Sequence, residues 1–294
     1  MLADTIGLAG FKDTFYTTQY QPGGGNGNWY TFNETRPDLQ IAMSILSSGQ
    51  VGPGDGIGFT DKDLLMKSCD ADGKILRPSN TVQPIDSLMM HRSLPKFYPD
   101  APTGQIYNAF TDLGEFRFGI LFCADNPTAF KIRPNDIKLS KHSENFDYVI
   151  FEYYPSETTA RDLTSFSNED PYRVKAHRSI HPLDGDDKLV VEWSLYHVVP
   201  KIVLRSGKTL VVDGEVAKFV HMSVGRVKGM TVLEDDVELE LAGRSGEFVE
   251  IIYYEVSGNG FTESFKKQSV GCHVGSGGMV KMKLLAVLCN EHMA

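Results

Sequence analysis

Residues 45–55 read ILSSGQVGPGD, and how they are read decides the fold. An apolar run ends at Leu46, and Gly49, Gly52, Pro53 and Gly54 follow before a single carboxylate, Asp55. Upstream, PDLQIAMSILSSG (37–49) has the pattern of a helix. Pro37 suits its first turn, and Leu39, Ile41, Met43, Ile45 and Leu46 supply an apolar side. Gly49 is placed to stop it. GQV then has the length of one short strand, with Asp55 in the loop at its C-terminal end. In such a loop glycines let backbone approach a ligand, and a carboxylate accepts the ligand's hydrogen bonds. The alternative is that Asp55 only stabilises a turn.

The neighbouring stretches extend the strand-helix reading. GFKDTFYTT (10–18) reads as a short strand running into a loop, with Asp13 just after the strand. QYQPGGGNGNWY (19–30) is a Gly-rich loop carrying Trp29 and Tyr30. TDKDLLMKSC (60–69) reads as a second helix with Thr60 as its N-cap. A (β/α)8 TIM barrel takes about 250 residues, so residues 1–92 have room for only its last two strand-helix units. In such barrels the C-terminal ends of the strands face the site, where Asp13 and Asp55 would stand.

Beyond residue 93 the pattern changes. QIYNAFTD, FRFGILFCA, YVIFEYYP, KLVVEWSLYHVVPKIVL, KTLVVDG, VELELAG, FVEIIYYEVSG and MVKMKLLAVL are β-branched and aromatic, with Gly, Asp, Asn or Pro between them. Without convincing helices between them, they predict an antiparallel β-sandwich over 93–294. SETTARDLTSFSNEDPYRVKAHR (156–178) reads as a solvated loop on it. The expected fold class is therefore α+β and multidomain: C-terminal units of a TIM barrel (1–92) followed by an antiparallel β-sandwich (93–294).

Composition narrows the functions. The chain of 294 residues is 41% hydrophobic and 23% charged, as in a soluble globular protein. A net charge of -9 argues against nucleic acid or an anionic membrane as partner. No apolar run is long enough to span a bilayer. Cys69, Cys123, Cys272 and Cys289 form no CxxC pair, so they are either buried thiols or up to two disulfides. The single sequon at Asn33 says little about compartment.

Several ligand patterns fail on spacing. Neither GPGDGIG nor PGGGNG has the Lys and Ser or Thr of a phosphate loop, and Ile57 stands where a dinucleotide fingerprint needs its third glycine. CDADG lacks the spacing and final Glu of a calcium loop and reads as an Asp-Gly turn. His177 and His181 stand four apart without a metalloprotease helix, and Pro182 follows. GSGG (275–278) lacks the serine elbow of a hydrolase and reads as a hairpin turn. No metal or cofactor is expected from these patterns.

The order of the pieces resembles the C-terminal part of the raffinose synthase and α-galactosidase group, glycoside hydrolase family 36 and its relatives. FKDTFYTT, with Asp13, resembles the family's aspartate-bearing segment near barrel strand seven. LSSGQVGPGD, with Asp55, is similar to its final barrel strand. DLLMKSCDADGKILRPSN is similar to the helix and strand-turn that follow. Pro84-Ile85-Asp86 resembles the entry to the sandwich, one residue shorter, and Tyr196 to Pro200 (YHVVP) resembles one of its strands. Phe11-Lys12 stand where the family has a tryptophan, and GPGD replaces a bulkier strand end.

That resemblance implies a carbohydrate-active protein acting on α-galactosides. It implies Asp13 and Asp55 as ligand contacts, not as the catalytic pair, which the family takes from barrel strands four and six. Retaining hydrolysis needs two carboxylates about 5 Å apart, so this chain by itself is expected to be inactive. The alternative is a non-catalytic carbohydrate-binding or structural β-sandwich, in which Trp29 could stack on a sugar or pack internally. Association into an oligomer is one way to complete the missing barrel surface.

Overall fold

The computed structural model describes residues 14–19, 21, 34–94, 96–97, 104–139, 146–153, 162–179, 191–258 and 262–291. The β-branched and aromatic runs pair antiparallel. One large sheet follows the order β1 (Gln83–Pro84), β2 (Gln105–Leu113), β3 (Phe116–Ala124), β8 (Trp193–Val203), β9 (Thr209–Glu215), β12 (Phe248–Ser257) and β13 (Ser264–His273). β5 (Tyr148–Glu152) joins β8, and β6 (Thr164–Phe166) joins β5. A second sheet has the order β10 (Val227–Val232), β11 (Val237–Ala242), β14 (Met279–Lys283) and β15 (Leu288–Glu291). β4 (Phe130–Ile132) and β7 (Tyr172–Val174) form a separate ribbon.

Burial patterns explain the layers. β11 alternates buried and half-buried residues, so one face looks inward. Nearly every residue of β3 is buried, because both of its faces are covered. β8 pairs with β3 and β5 through its first part, and with β9 through Lys201, Ile202 and Val203. It is therefore the corner strand. Beyond it, β9 and β12 share a core with β11 and β14 that contains Val211, Ile251, Leu239 and Met282.

Three α-helices occur among the described residues: α1 (Pro37–Leu46), α2 (Lys62–Met66) and α3 (Asp86–Ser93). α1 buries Ile41, Ala42, Ile45 and Leu46 against Ala109, Ile120, Phe122 and Leu195 of the large sheet. α3 buries Leu88 on the opposite side, with Leu121, Ile150 and Val198. Among the described residues no helix is long and apolar enough to cross a membrane.

This architecture overturns the TIM-barrel part of the expected fold. Strand makes up 42% and helix 12%, and the sheets are antiparallel and open. Around Asp55 the sole parallel pairing among the described residues is one bridge, Phe15 to Pro53. Pro53 has no N–H to extend a ladder, and the apolar side of α1 covers antiparallel strands instead of barrel strands. The helix also stops differently, with Ser48, not Gly49, in the left-handed region at φ 57. In α2 the cap is Asp61, not Thr60, its side chain accepting from Leu64 N–H at 2.9 Å.

Other expectations change too. The stretch read as a solvated loop at 156–178 contributes β6 and β7, with Phe166 and Val174 buried. GSGG is a turn, but it joins β13 of the large sheet to β14 of the small one and is no hairpin. Cys272 and Cys289 form a disulfide between β13 and β15, while Cys69 and Cys123 are free thiols.

Candidate functional site

Asp55 answers to its own chain. Its Oδ1 accepts from Thr17 N–H at 2.8 Å and from Gln21 Nε2, and its Oδ2 accepts from Thr17 Oγ1 at 2.6 Å. Gly54 donates to Phe15 O at 2.8 Å, and a Cβ on Gly54 would collide with Thr14 Cγ2. The break in the sequence therefore lets two segments touch, and the carboxylate ties them. Asp13 and Trp29 lie outside the described residues, as does His181.

The concave site lies elsewhere. Just past the end of β5, a cleft of about 200 Å³ lies between the first residues of β8, the start of α1 and the C-terminal end of α2. Tyr153, Phe219 and Leu195 form its floor, and Trp193 with Arg36, Asp38, Lys67 and Glu152 form its rim. The Arg36 guanidinium grips Asp38 through two contacts of 3.1 and 2.9 Å, donates to Val191 O at 2.8 Å, and lies 5.8 Å from the Trp193 ring centroid. Trp193 packs on Phe122 at 5.8 Å. Its indole N–H is buried without an acceptor among the described residues.

Glu152 is held from the other face of the sheet. Lys175 Nζ reaches its Oε2 at 2.6 Å, and Ser194 Oγ contacts its Oε1. Ser194 Oγ also lies 2.7 Å from His177 Nε2, and His177 Nδ1 lies 2.9 Å from Asn126 Oδ1. Asn126 Nδ2 donates to Lys175 O at 3.0 Å, which fixes its amide orientation and makes His177 Nδ1 the donor. Burial and the Lys175 charge hold the His177 ring below its ordinary range. The order serine, imidazole and amide follows that of a nucleophile relay. Here, however, the serine is buried in mid-sheet and pressed on a carboxylate, so the chain serves to fix Glu152.

Beneath the floor sits a second polar group. His197 on β8, Asp213 on β9 and His221 on the following loop are buried, with one ligand-type atom of each within 4.8 Å of the others. Tyr153 packs on His197 at 5.1 Å and on Phe219 at 5.5 Å. Two local features aim these residues. β9 pairs through Val212 with Tyr253 and through Gly214 with Ile252, so Asp213 is the extra residue of a β-bulge, a device that re-aims side chains. Gly214 has φ 113, and a Cβ there would strike His221 O, so only glycine lets the loop fold back. Lys218 Nζ then binds Met66 O at 2.6 Å and Cys69 O at 2.8 Å, sewing the loop to the end of α2.

No protein-family model and no curated protein matches this sequence. The chemistry must therefore be read from the geometry. A larger trough of about 560 Å³ beside β6 offers less, because Lys201, Glu263 and Ser165 already satisfy one another within it. Of the residues singled out in the sequence, none described lines the cleft. Trp193, Arg36 and Glu152 were missed because each looks ordinary alone, and only the end of β5 brings them together.

Proposed function

We propose that this chain is a non-catalytic carbohydrate-binding β protein, with α-galactosides as the class to test first. The cleft beside Trp193 is the binding site. What supports the reading is the company Trp193 keeps. The flat Trp193 ring stands beside an Arg36–Asp38 fork, and Glu152 is held on the opposite rim. A sugar offers the matching surfaces, a C–H face for the ring and vicinal hydroxyls for paired donors and acceptors. A cleft of about 200 Å³ suits one pyranose ring rather than an extended ligand. No turnover is proposed. Among the described residues the carboxylates of the cleft are each engaged, Asp38 by Arg36 and Glu152 by Lys175 and Ser194.

Calorimetric titration with melibiose and raffinose, together with a glycan panel, tests this. Binding in the millimolar to micromolar range is expected, about 4–8 kcal/mol. Trp193→Ala should abolish it, and Trp193→Phe, which keeps a smaller ring face, should weaken it. Absence of binding by any glycan, or binding unchanged in Trp193→Ala, defeats the proposal. Steady cleavage of an aryl α-galactoside by the purified chain defeats its non-catalytic half.

A further inference from the structure

We propose that His197, Asp213 and His221 form a buried structural site for one first-row transition-metal ion of the zinc class. The three side chains are only 1%, 3% and 1% exposed. His197 Nε2 lies 3.2 Å from the carbonyl oxygen of Phe219, and its Nδ1 lies 3.3 Å from Asp213 Oδ1. A carbonyl only accepts, so Nε2 carries the ring proton. The Nδ1 lone pair of the neutral ring then faces a carboxylate oxygen. Two lone pairs opposed in an apolar layer repel each other, and a positive centre belongs between them.

That centre is either a proton, on the ring or on the carboxyl, or a metal ion, and the distance chooses between them: either proton-bridged pair closes below about 3 Å. A charge-assisted N–H to carboxylate bond closes to about 2.7–2.9 Å. Two ligand atoms held about 2.0–2.1 Å from one tetrahedral ion stand roughly 3.4 Å apart. The observed 3.3 Å has the second value. The imidazoles agree. Their centroids are 3.8 Å apart with planes tilted by 57°, too close for both rings to be cationic and compatible with a shared ion.

The surroundings complete the pattern. A ligating histidine donates its other N–H to a carbonyl or carboxylate, as His197 does to Phe219 O, and this fixes the tautomer. Two imidazoles and one carboxylate suit zinc and its neighbours in the series and do not suit calcium or magnesium. The three ligands come from β8, the bulge of β9 and the loop after it, so the ion would pin the sheet corner and, through Phe219, the floor of the cleft. Burial keeps substrate away, which makes the role structural. The inference stands whether or not the cleft binds a sugar.

Cobalt(II) is the probe, because its visible absorption reports coordination. The full chain is stripped with a chelator, loaded with Co(II) or Zn(II), desalted and assayed by elemental mass spectrometry. One ion per chain is expected, with the intense visible bands of a four-coordinate cobalt site. Asp213→Asn and His221→Gln should lose that ion or bind it at least about tenfold more weakly. His273→Gln, on exposed β13, should retain it. Zinc should raise the thermal midpoint of the wild type but not that of Asp213→Asn. A folded wild type that keeps no ion overturns the proposal, and so does equal retention by wild type and Asp213→Asn. If the variants fail to fold, the wild type still decides: a thermal midpoint indifferent to both zinc and chelator overturns it.

Discussion

Asp213 and Glu215 stand two residues apart on β9, and each belongs to a buried polar cluster, yet the two clusters differ in kind. Around Glu215 every donor is used. Arg226 Nε and Nη2 meet the two Glu215 oxygens at 2.8 and 3.0 Å, Nη2 and Nη1 meet those of Glu247 at 2.6 and 3.1 Å, and Nη1 reaches Ala242 O at 2.7 Å. All five guanidinium protons have acceptors. In the Asp213 cluster, His197 Nδ1 lies 3.3 Å from the carboxylate and His197 Nε2 lies 3.2 Å from Phe219 O. Equal burial therefore holds a fully bonded guanidinium in one cluster and converging imidazole and carboxylate atoms in the other.

Burial works against the charge on Arg226, but the hydrogen bonds and charges of Glu247 and Glu215 outweigh it and push the guanidinium further up. Burial likewise opposes ionisation of Glu247. Hydrogen bonds from Arg226 and from the N–H groups of Arg244 and Ala71 still hold it below the ordinary carboxylate range.

The sharpest break in the comparison is Arg226→Met, which strands two buried carboxylates. A loss of about 3–5 kcal/mol in urea unfolding is expected, with cobalt binding unchanged in whatever remains folded. A loss below ~1 kcal/mol would mean the network is not closed. Next comes Gly214→Ala, which strikes the other cluster. Forcing an alanine into that φ costs about 1–3 kcal/mol. Because the Cβ displaces His221, the variant should also bind cobalt more weakly, whereas Arg226→Met should not.

Acid separates the clusters more gently. The folded pKa of Glu247 is depressed, so the unfolded chain takes up its proton first. Its contribution is full above about pH 4.3 and is lost as pH falls through the folded value. Glu247→Gln should flatten that acid limb in a stability-versus-pH series, at a cost in stability at neutral pH. The smallest effect belongs to His177. Its folded pKa is lowered, so its stabilisation is complete above about pH 6.5 and declines as pH falls below, by at most ~1.4 kcal/mol per pH unit. His177→Asn should remove that mild slope. An unchanged slope would assign the titration to another group.

Much of the strand content was legible because tertiary packing agrees with local preference. VELELA and FVEIIYYEV alternate or run β-branched, and they are β11 and β12. SFKKQSVGCH was passed over because β13 pairs on one side only and shows Lys266 and Lys267 to solvent. TSF and YRV were lost inside a charged stretch that looked like loop. The barrel reading failed for a different reason. The apolar side of α1 is equally suited to parallel and antiparallel strands, and nothing local in residues 37–55 says which it will meet. The candidate sites were least legible. His197, Asp213 and His221 are 16 and then eight residues apart, a spacing that matches no ligand motif. A bulge and a back-folded loop bring them together, and neither is written in hydrophobic periodicity.

The loop after β9 is fastened to the α2 region by Lys218 on Met66 and Cys69, and by Ser223 on Arg77, across 146 to 152 residues of chain. A ribosome adding about 5–20 residues per second takes roughly 7–30 s to span that distance. Through that interval Met66 O, Cys69 O and Arg77 O are without these native partners. During synthesis, then, the end of α2 waits for the loop after β9, and the sheet corner waits in turn for β12 to pair with β9.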